Sequence, residues 1–389
     1  MSYRILTLNN ISPKGLARLP RERYQVGADI SAPDAILVRS ADMHAFAVAP
    51  QVQAIGRAGA GTNNIPVAAL SRRGIPVFNT PGANANAVKE LVLAGLLLAA
   101  RNLGPAWLFT RALAGDDAAI EAAVERGKQA FVGFELPGRT LGVVGLGAIG
   151  VEVANAAQAL GMQVLGYDPQ ITVQRAWALS ARVEQAPSLE ELFTRSDAVS
   201  VHVPLNEATR ALVNAARLKL LKPDGIVLNF ARAGIVDEQA VIAALDAQQL
   251  HGYVCDFPSV ALKEHPRVIT LPHLGASTLE AEENCAVMVA EQVRDFLENG
   301  NIRNSVNYPE AVLPRVPGTT RLAIANSNVP NMVGQISTCL AGAQLNIADL
   351  LNKSRGEFAY TLIDTDGAVT AQVLGQIRAI SGVLTARIV

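Results

Sequence analysis

The sequence predicts an α/β protein with two doubly wound, Rossmann-like parallel-sheet domains and a small βαββαβ domain at its C-terminal end. Three observations lead to this fold class. Short apolar segments alternate with helical segments from residue 5 onward, a glycine-rich turn interrupts the second series of segments, and the order of segments changes after residue 318. Alternating strands and helices favour parallel sheets that helices cover on both faces.

Each series of segments contains several short strands. The first predicts strands at residues 5–8, 35–38, 52–55 and 76–78, with connecting helices such as residues 67–73. The second predicts strands at residues 140–144, 162–167, 198–202, 226–229, 252–255 and 268–270. Most of these strands are almost wholly apolar, which is typical of parallel strands buried on both faces.

The glycine-rich turn, Gly145-Leu-Gly147-Ala148-Ile149-Gly150, lies between a predicted strand and an alanine-rich helix, and Asp168 ends the next strand. Glycines at these positions allow a tight turn, close approach of a diphosphate, and close packing of helix on strand. On its own, a motif of this kind is weak evidence for a dinucleotide site, since an ordinary βαβ turn can match it. With this context it predicts a dinucleotide site, and the Asp168 carboxylate would repel a 2′-phosphate, which favours NAD over NADP.

Composition argues against several other classes of function. Half of the 389 residues are apolar, 17% are charged and the formal net charge is −1, so neither nucleic acid nor a membrane surface is a predicted partner. The longest apolar stretch, residues 91–100, is too short to span a bilayer. Three cysteines that lie far apart favour a reducing cytoplasm over a disulfide framework, and no metal site is predicted.

The C-terminal part of the chain predicts a separate domain. A long helix is expected at residues 277–299 with Ser277 as its N-cap, and three prolines and Gly318 mark the linker that follows. Beyond it we predict strands at 321–325, 345–350, 358–364 and 383–389 and helices at 332–341 and 371–379. The predicted domains are a substrate-binding domain (1–98 and 278–310), an NAD-binding domain (99–277), a linker (311–318) and a regulatory or assembly domain (319–389).

Four segments together resemble the D-isomer-specific 2-hydroxyacid dehydrogenases. They are the glycine turn and the stretches at residues 57–65, 222–238 and 272–278, supported by Asn79-Thr80-Pro-Gly82. The resemblance covers essentially the whole chain, including a C-terminal domain similar to ACT domains. It implies NAD-dependent oxidation of a phosphorylated 2-hydroxy acid, with 3-phospho-D-glycerate, at the first step of L-serine synthesis, as the expected substrate. It also implies a homodimer or homotetramer.

Two side chains are predicted to carry the chemistry, and each follows a predicted strand. His273 suits removal of a hydroxyl proton because imidazole titrates near neutrality, although a histidine after a strand is often structural. Arg232 suits two-pronged binding of a carboxylate, with an ion pair to Asp237 or Glu238 as the alternative. The family pattern makes His273 the acid/base and Arg232 the substrate anchor.

The resemblance also implies the residues that bind cofactor and substrate. The expected cofactor contacts are Thr80, Gly145, Gly147, Ala148, Ile149, Gly150, Asp168, Phe230, Ala231, Arg232, Asp256, His273, Gly275 and Ala276. The backbone of residues 57–61, including Gly59 and Gly61, is expected to bind the substrate carboxylate. Arg39, Arg57 and Lys128 are candidates for a substrate phosphate, and each could equally be a solvated surface charge.

One position departs from the family pattern. A glutamate that hydrogen-bonds the catalytic histidine is expected five residues after Asp256, where this chain has Ala261. Three readings remain open: another group orients His273, Glu264 reaches in through a shifted loop, or the chain turns over weakly. The last reading keeps an NAD(H)-sensing protein as a rival to the enzyme. A dehydrogenase for another 2-hydroxy acid, such as a hydroxypyruvate reductase, is the other rival.

In the C-terminal domain, Asn328 and Asn346 match two asparagines that contact L-serine in serine-sensitive relatives. The amide group can both donate and accept hydrogen bonds to an amino acid. Asn331 replaces the usual glycine of the turn and can adopt a left-handed backbone. The alternative is that this domain serves assembly only.

Overall fold

The computed structural model describes residues 2–389, which form two compact units. The first unit contains the residues up to Ala83 together with Leu279–Val389, and the second contains Asn84–Thr278. The elements of the N-terminal segment are β1 (Tyr3–Leu8), α1 (Pro13–Leu16), β2 (Tyr24–Gly27), β3 (Ala35–Val38), β4 (Ala54–Arg57), α2 (Val67–Arg72) and β5 (Val77–Phe78). Its five strands are all parallel, in the order β2-β1-β3-β4-β5.

The second unit begins with three helices and continues as an alternating series. Its elements are α3 (Ala85–Ala100), α4 (Leu103–Ala112), α5 (Asp117–Gly127), a 3₁₀ turn (Lys128–Phe131), β6 (Thr140–Val144), α6 (Ala148–Ala159), β7 (Gln163–Tyr167), α7 (Val173–Ala178), β8 (Glu184–Gln185), α8 (Leu189–Arg195), β9 (Ala198–Val201), α9 (Ala215–Leu218), β10 (Gly225–Asn229), α10 (Glu238–Asp246), β11 (Leu250–Cys255), α11 (Val260–Lys263) and β12 (Val268–Thr270). The strands form one parallel sheet in the order β12-β11-β10-β9-β6-β7-β8. The order reverses direction between β6 and β9, which is where such sheets bind ligands.

The rest of the first unit is a long helix and an antiparallel domain. The elements are α12 (Leu279–Asn299), β13 (Thr320–Ser327), α13 (Met332–Gly342), β14 (Ile347–Arg355), β15 (Phe358–Thr365), α14 (Ala371–Arg378) and β16 (Val383–Ile388). The sheet order is β14-β15-β13-β16. The predicted fold class, with two parallel sheets and a βαββαβ domain, is confirmed.

Some boundaries differ from those that the sequence predicts. Helix α3 packs on Phe230 and Val254 through Gly95, where a Cβ would lie 3.0 and 3.1 Å from those side chains. The helix therefore belongs to the second unit, and the first boundary falls at 83/84 instead of 98/99. Helix α12 begins at Leu279, so Thr278 and not Ser277 flanks it. Strand β2 was not predicted.

The end of α12 is bound by three arginines. Carbonyls in the last turn of a helix have no partner within the helix. Here Arg387 donates to the carbonyls of residues 296 and 297, Arg315 to that of residue 298 at 3.2 Å, and Arg321 to that of residue 299 at 3.3 Å. Positive charge is also favourable at this end of the helix dipole. The antiparallel domain and its linker are thus fixed to the rest of the first unit by charged hydrogen bonds.

Arg321 also forms an ion pair with Asp364, and both side chains are fully buried. Two parallel hydrogen bonds of 2.7 and 2.6 Å join the guanidinium to the carboxylate. The same guanidinium donates to the carbonyls of Leu313 and Pro314 at 2.7 and 2.9 Å. The predicted linker is therefore an ordered segment.

No single helix among residues 2–389 has both the length and the apolar composition to cross a membrane. Helices α3 and α4 would satisfy both criteria only as a pair, with a 65° bend between them.

The substitution Asp364→Asn is expected to destabilise the first unit by about 3–5 kcal/mol, because it leaves the buried Arg321 charge without its counter-ion. Thermal and urea unfolding measure the change. Glu291→Gln is the matched control, since it removes an exposed ion pair to Arg18 in the same unit and should leave the unfolding midpoint unchanged. Equal stability of Asp364→Asn and the control would show that the buried pair does not hold the linker.

Candidate active site

The candidate site lies at the carboxyl edge of the seven-stranded sheet in the second unit. Asn229, Cys255 and Thr270 are in register across β10, β11 and β12. The segments that leave these strands therefore emerge at the same level, with neighbouring strands about 4.8 Å apart. These segments carry Phe230, Ala231, Arg232, Asp256, His273, Gly275 and Ala276, all of which the sequence analysis singled out.

The three glycines of the turn after β6 have different roles. Gly145 has φ +90°, and a Cβ there would lie 2.6 Å from the carbonyl oxygen of His202. A Cβ at Gly150 would lie 1.9 Å from the carbonyl oxygen of Gly145. A Cβ at Gly147, in contrast, would meet no atom within 4 Å. Packing explains the first and third glycines, whereas the second leaves space open beside the helix.

Helix α6 presents its N-terminal N–H groups at this turn. Its N-cap residue, Gly147, offers no side chain to accept from them. Unpaired N–H groups and the positive end of the helix dipole suit a diphosphate. The Asp168 carboxylate accepts from the backbone N–H of Leu146 at 2.8 Å and of Gln170 at 2.9 Å, and it is half-buried. It supports the turn and still has lone pairs for ribose hydroxyls, so these residues fit NAD.

The Asp256 side chain, which is 1% exposed, connects two of the segments. Its two oxygens accept from the N–H groups of Leu274 and Gly275 at 2.7 and 2.8 Å. These two residues directly follow His273, whose backbone adopts φ +56°. That conformation is uncommon for a residue other than glycine, and it persists where surrounding contacts impose it. Asp256 therefore fixes the turn that presents His273.

The His273 side chain is exposed, and its ring lies against Phe257. The ring centroids are 5.3 Å apart with an interplanar angle of 68°. Within residues 2–389 no carboxylate bonds to this imidazole. Ala261 is exposed on α11, and Glu264 is 73% exposed and paired with Lys263 at 3.1 Å. The reading in which Glu264 reaches His273 is therefore wrong for this structure.

Arg232 is half-buried and has no ion-pair partner in the described part of the chain. Its Nη1 donates to the carbonyl of Ala231 at 2.7 Å. The alternative partners are engaged elsewhere, since Asp237 caps α10 and Glu238 accepts from the hydroxyl of Ser259 at 2.8 Å. The guanidinium therefore retains donors for an anion.

His202, at the end of β9, is a residue that the sequence analysis missed. Burial lowers its pKa to about 4, so the ring is neutral at physiological pH. Its Nε2 lies 2.8 Å from the hydroxyl of Ser200, and its Nδ1 is buried without a protein partner. The only signal in the sequence was its position at the end of a strand, next to the point where the sheet order reverses.

The first unit brings together other predicted residues. Arg39 forms an ion pair with Glu282. A Cβ at Gly59 would lie 1.5 Å from Nη1 of Arg57, so the Arg57 guanidinium occupies the space that any larger residue at position 59 would need. Gly59 has φ +144°, which also requires glycine. Burial raises the pKa of the Cys285 thiol, while Thr80, Arg57 and Arg39 oppose that rise. Arg39 directly follows β3 and Arg57 ends β4, and Val38 is in register with Arg57 across these neighbouring strands. Gly61 is half-buried.

Two further predicted residues have local roles in the structure. Thr80 is fully buried, and its N–H donates to the carbonyl of Gly59 at 3.1 Å, so it supports the loop that carries Gly59. Its contact with the cofactor stays a prediction. Lys128 lies in the second unit and pairs with Glu125 at 2.5 Å, with both side chains more than half exposed.

Asn328 and Asn346 lie at opposite ends of the antiparallel sheet. Asn328 follows β13 and donates to the carbonyl of Gly356 at 3.0 Å, whereas Asn346 precedes β14. The partners on β15 nearest to them, Phe358 and Thr365, are seven residues apart, or roughly 23 Å at 3.3 Å per residue. One chain alone does not bring the two amides together. The turn itself forms as predicted, with Asn331 at φ +63°.

Gly147→Val is expected to leave folding intact and to weaken NADH binding at least about tenfold, because the added side chain would occupy the space beside the helix N-terminus. Fluorescence titration with NADH and thermal unfolding measure the two effects. Gly375→Val is the control, since a Cβ at this glycine of α14 also meets no atom within 4 Å. NADH affinity of Gly147→Val within twofold of the wild type would place the diphosphate elsewhere.

Comparisons with known proteins identify the family and the fold. Residues 103–275 match the family model described as D-isomer specific 2-hydroxyacid dehydrogenase, NAD binding domain. The chain is 35% identical to D-3-phosphoglycerate dehydrogenase of Haemophilus influenzae over 354 residues, which cover 87% of this chain and 82% of the relative. It resembles the NAD⁺-bound 3-phosphoglycerate dehydrogenase structure of Entamoeba histolytica with a TM-score of 0.61 and 26% identity, covering 79% of this chain and 99% of that one.

A second solved structure with this fold is the NADPH-dependent glyoxylate/hydroxypyruvate reductase of Sinorhizobium meliloti, with a TM-score of 0.63, 25% identity, and coverage of 81% of this chain and 100% of that one. The NAD-binding motif, the turn that carries His273 and the extent of the sequence matches lead to the same assignment. This chain belongs to the family of D-isomer-specific 2-hydroxyacid dehydrogenases and contains its NAD-binding domain.

Proposed function

We propose that this chain oxidises 3-phospho-D-glycerate to 3-phosphohydroxypyruvate, with NAD as the hydride acceptor. Relatives named D-3-phosphoglycerate dehydrogenase, at 33–40% identity, support this substrate. The observation that carries the proposal is the placement of Arg232 and His273 on segments that leave β10 and β12 at one sheet edge, where the strands are in register through β11. The glycine turn lies at the same edge of the sheet. Location in the cytoplasm and a role in L-serine synthesis remain predictions.

The residues divide the chemistry between them. Arg232 binds the carboxylate through two parallel hydrogen bonds and so directs the α-carbon. His273 accepts the hydroxyl proton while the hydride leaves the same carbon, and the proton then resides on the imidazole. NAD, when bound, supplies the hydride acceptor. Asp256 holds the His273 turn and thereby fixes where the proton is received.

A phosphate on the substrate requires cations in addition to Arg232. Arg39 and Arg57 are the proposed phosphate-binding residues because they lie at the carboxyl ends of the neighbouring strands β3 and β4, where Val38 is in register with Arg57. When substrate binds, the Arg39 guanidinium releases Glu282 and forms an ion pair with the substrate phosphate instead. Lys128 is a weaker candidate, since its ammonium group is paired with Glu125 among exposed side chains.

Arg39→Gln tests whether Arg39 binds the phosphate of the substrate. In the NADH-oxidation direction, the wild type should prefer 3-phosphohydroxypyruvate over hydroxypyruvate in kcat/KM. The variant should lose about 10- to 100-fold of that preference, as expected for one hydrogen-bonded charge pair. Hydroxypyruvate is the matched control because it lacks only the phosphate, and its kcat/KM should not change. An equal fall for both substrates would remove Arg39 from the phosphate site.

Ala261→Glu tests the missing carboxylate. A glutamate there should raise kcat for oxidation and move the acid limb of the pH–rate profile to higher pH, because a neighbouring carboxylate favours the protonated imidazole. Stopped-flow or steady-state assays between pH 5 and 9 measure both changes. Val260→Glu, which adds the same charge at a 79% exposed neighbour, is the control. If rate and profile match the control, Ala261 does not stand at the glutamate position.

A second candidate function is NAD(H) sensing, which Ala261 favours because no carboxylate in the described part of the chain bonds to His273. Such a protein would bind NADH tightly and transfer hydride at a negligible rate. A hydroxypyruvate reductase would instead show no preference for the phosphorylated substrate. Either outcome can be read from the same assays.

Regulation by L-serine and assembly into a homodimer or homotetramer remain predictions. Because Asn328 and Asn346 lie at opposite ends of the sheet, we propose that a serine site using both amides would take one from each of two chains. Strand β14 is at the sheet edge, so it is available to pair with a second copy.

A further inference from the structure

No carboxylate within residues 2–389 bonds to the His273 imidazole, so any contact that holds the ring must come from another kind of group. An exposed imidazole on a turn can rotate about two side-chain bonds, and proton transfer requires one orientation. Phe257 is the ring that contacts the imidazole, at 5.3 Å between centroids and 68° between planes. Edge-to-face packing of this kind is favourable between aromatic rings.

The Phe257 backbone is itself fixed. It directly follows Asp256, whose carboxylate holds the two residues after His273. Its carbonyl accepts from the Cys255 thiol at 3.6 Å, and Pro258 after it disfavours a helical backbone at Phe257. The Phe257 ring is half-buried. The segments that carry Phe257 and His273 are therefore connected twice, by the hydrogen bonds from the Asp256 carboxylate to backbone N–H groups and by the contact between the two rings.

We propose that Phe257 is a positioning residue that holds the His273 imidazole in the orientation for proton transfer. It performs by ring packing the task that a carboxylate would perform by a hydrogen bond. This inference rests on the proposed dehydrogenase function. Since the phenyl ring carries no charge, it aligns the imidazole without the strong preference for the protonated form that a carboxylate confers.

Kinetics of three variants test the proposal. Phe257→Leu should lower kcat about two- to tenfold, the range expected for loss of one aromatic pair, while the NADH dissociation constant and KM change less than twofold. Phe257→Tyr keeps the ring and should restore kcat to within twofold of the wild type. Phe134→Leu is the matched control because Phe134 contacts His251 with nearly the same geometry, 5.4 Å and 64°. It should leave kcat within twofold.

The pH–rate profile of Phe257→Leu distinguishes loss of ring orientation from a change in the charge state of His273. Phe257→Leu should lower the rate without moving the acid limb of the profile. In the Ala261→Glu background, the same substitution should cost less in kcat, because the new carboxylate would hold the ring. A kcat of Phe257→Leu within twofold of the wild type, or a loss matched by Phe134→Leu or by NADH affinity, would overturn the proposal.

A spectroscopic readout keeps this inference distinct from the proposed function. In the folded wild-type protein, the His273 ring protons should carry a ring-current shift that disappears in Phe257→Leu, assigned with His273→Asn. If no 2-oxo acid is turned over but the shift is present, the proposed function fails while the ring contact stands. If the shift is the same in Phe257→Leu, the positioning role fails whatever the activity.

Discussion

The carboxylate of Asp256 is the interaction on which the candidate site depends. It is buried at the end of β11, where a lone charge would be unfavourable, and two backbone N–H groups stabilise it. Those N–H groups belong to the residues directly after His273. One side chain thus connects two neighbouring strand ends and forces the left-handed backbone that presents the imidazole. The parallel sheet supplies the location, and Asp256 supplies the geometry.

The candidate site uses backbone groups for one task and charged side chains for another. The glycine turn and the start of α6 fit a diphosphate without a lysine or an arginine, through backbone N–H groups alone. The charged side chains proposed to bind substrate are Arg232, Arg39 and Arg57. His273 receives its orientation from a phenyl ring and a held backbone. A site that orients its histidine in this way can still place the imidazole for proton transfer, although it lacks the carboxylate that would stabilise the imidazolium.

Much of this arrangement could be predicted from residues whose effect is local. The strands, the glycine turn, Asp168 and the placement of Arg232 and His273 after strands depend on apolar runs and on glycine geometry, which neighbouring residues determine. Contacts between distant segments could not be predicted. Arg321 and Asp364 are 43 residues apart, and neither position distinguishes itself from a surface charge in the sequence. The complete burial of Thr80 could not be seen in the sequence either. The compact units divide before α3, and not at the predicted 98/99, because the helix packs against Phe230 and Val254, far along the chain.

The central claim is that one sheet edge holds the cofactor at the glycine turn and the acid/base at the turn fixed by Asp256. A crystal structure of the full chain with NADH tests this most directly. The account predicts the diphosphate against the N–H groups at the start of α6 and the nicotinamide beside the rings of His273 and Phe257, with Arg232 at its side. A diphosphate bound away from Gly147, or a nicotinamide that contacts neither His273 nor Arg232, would contradict it.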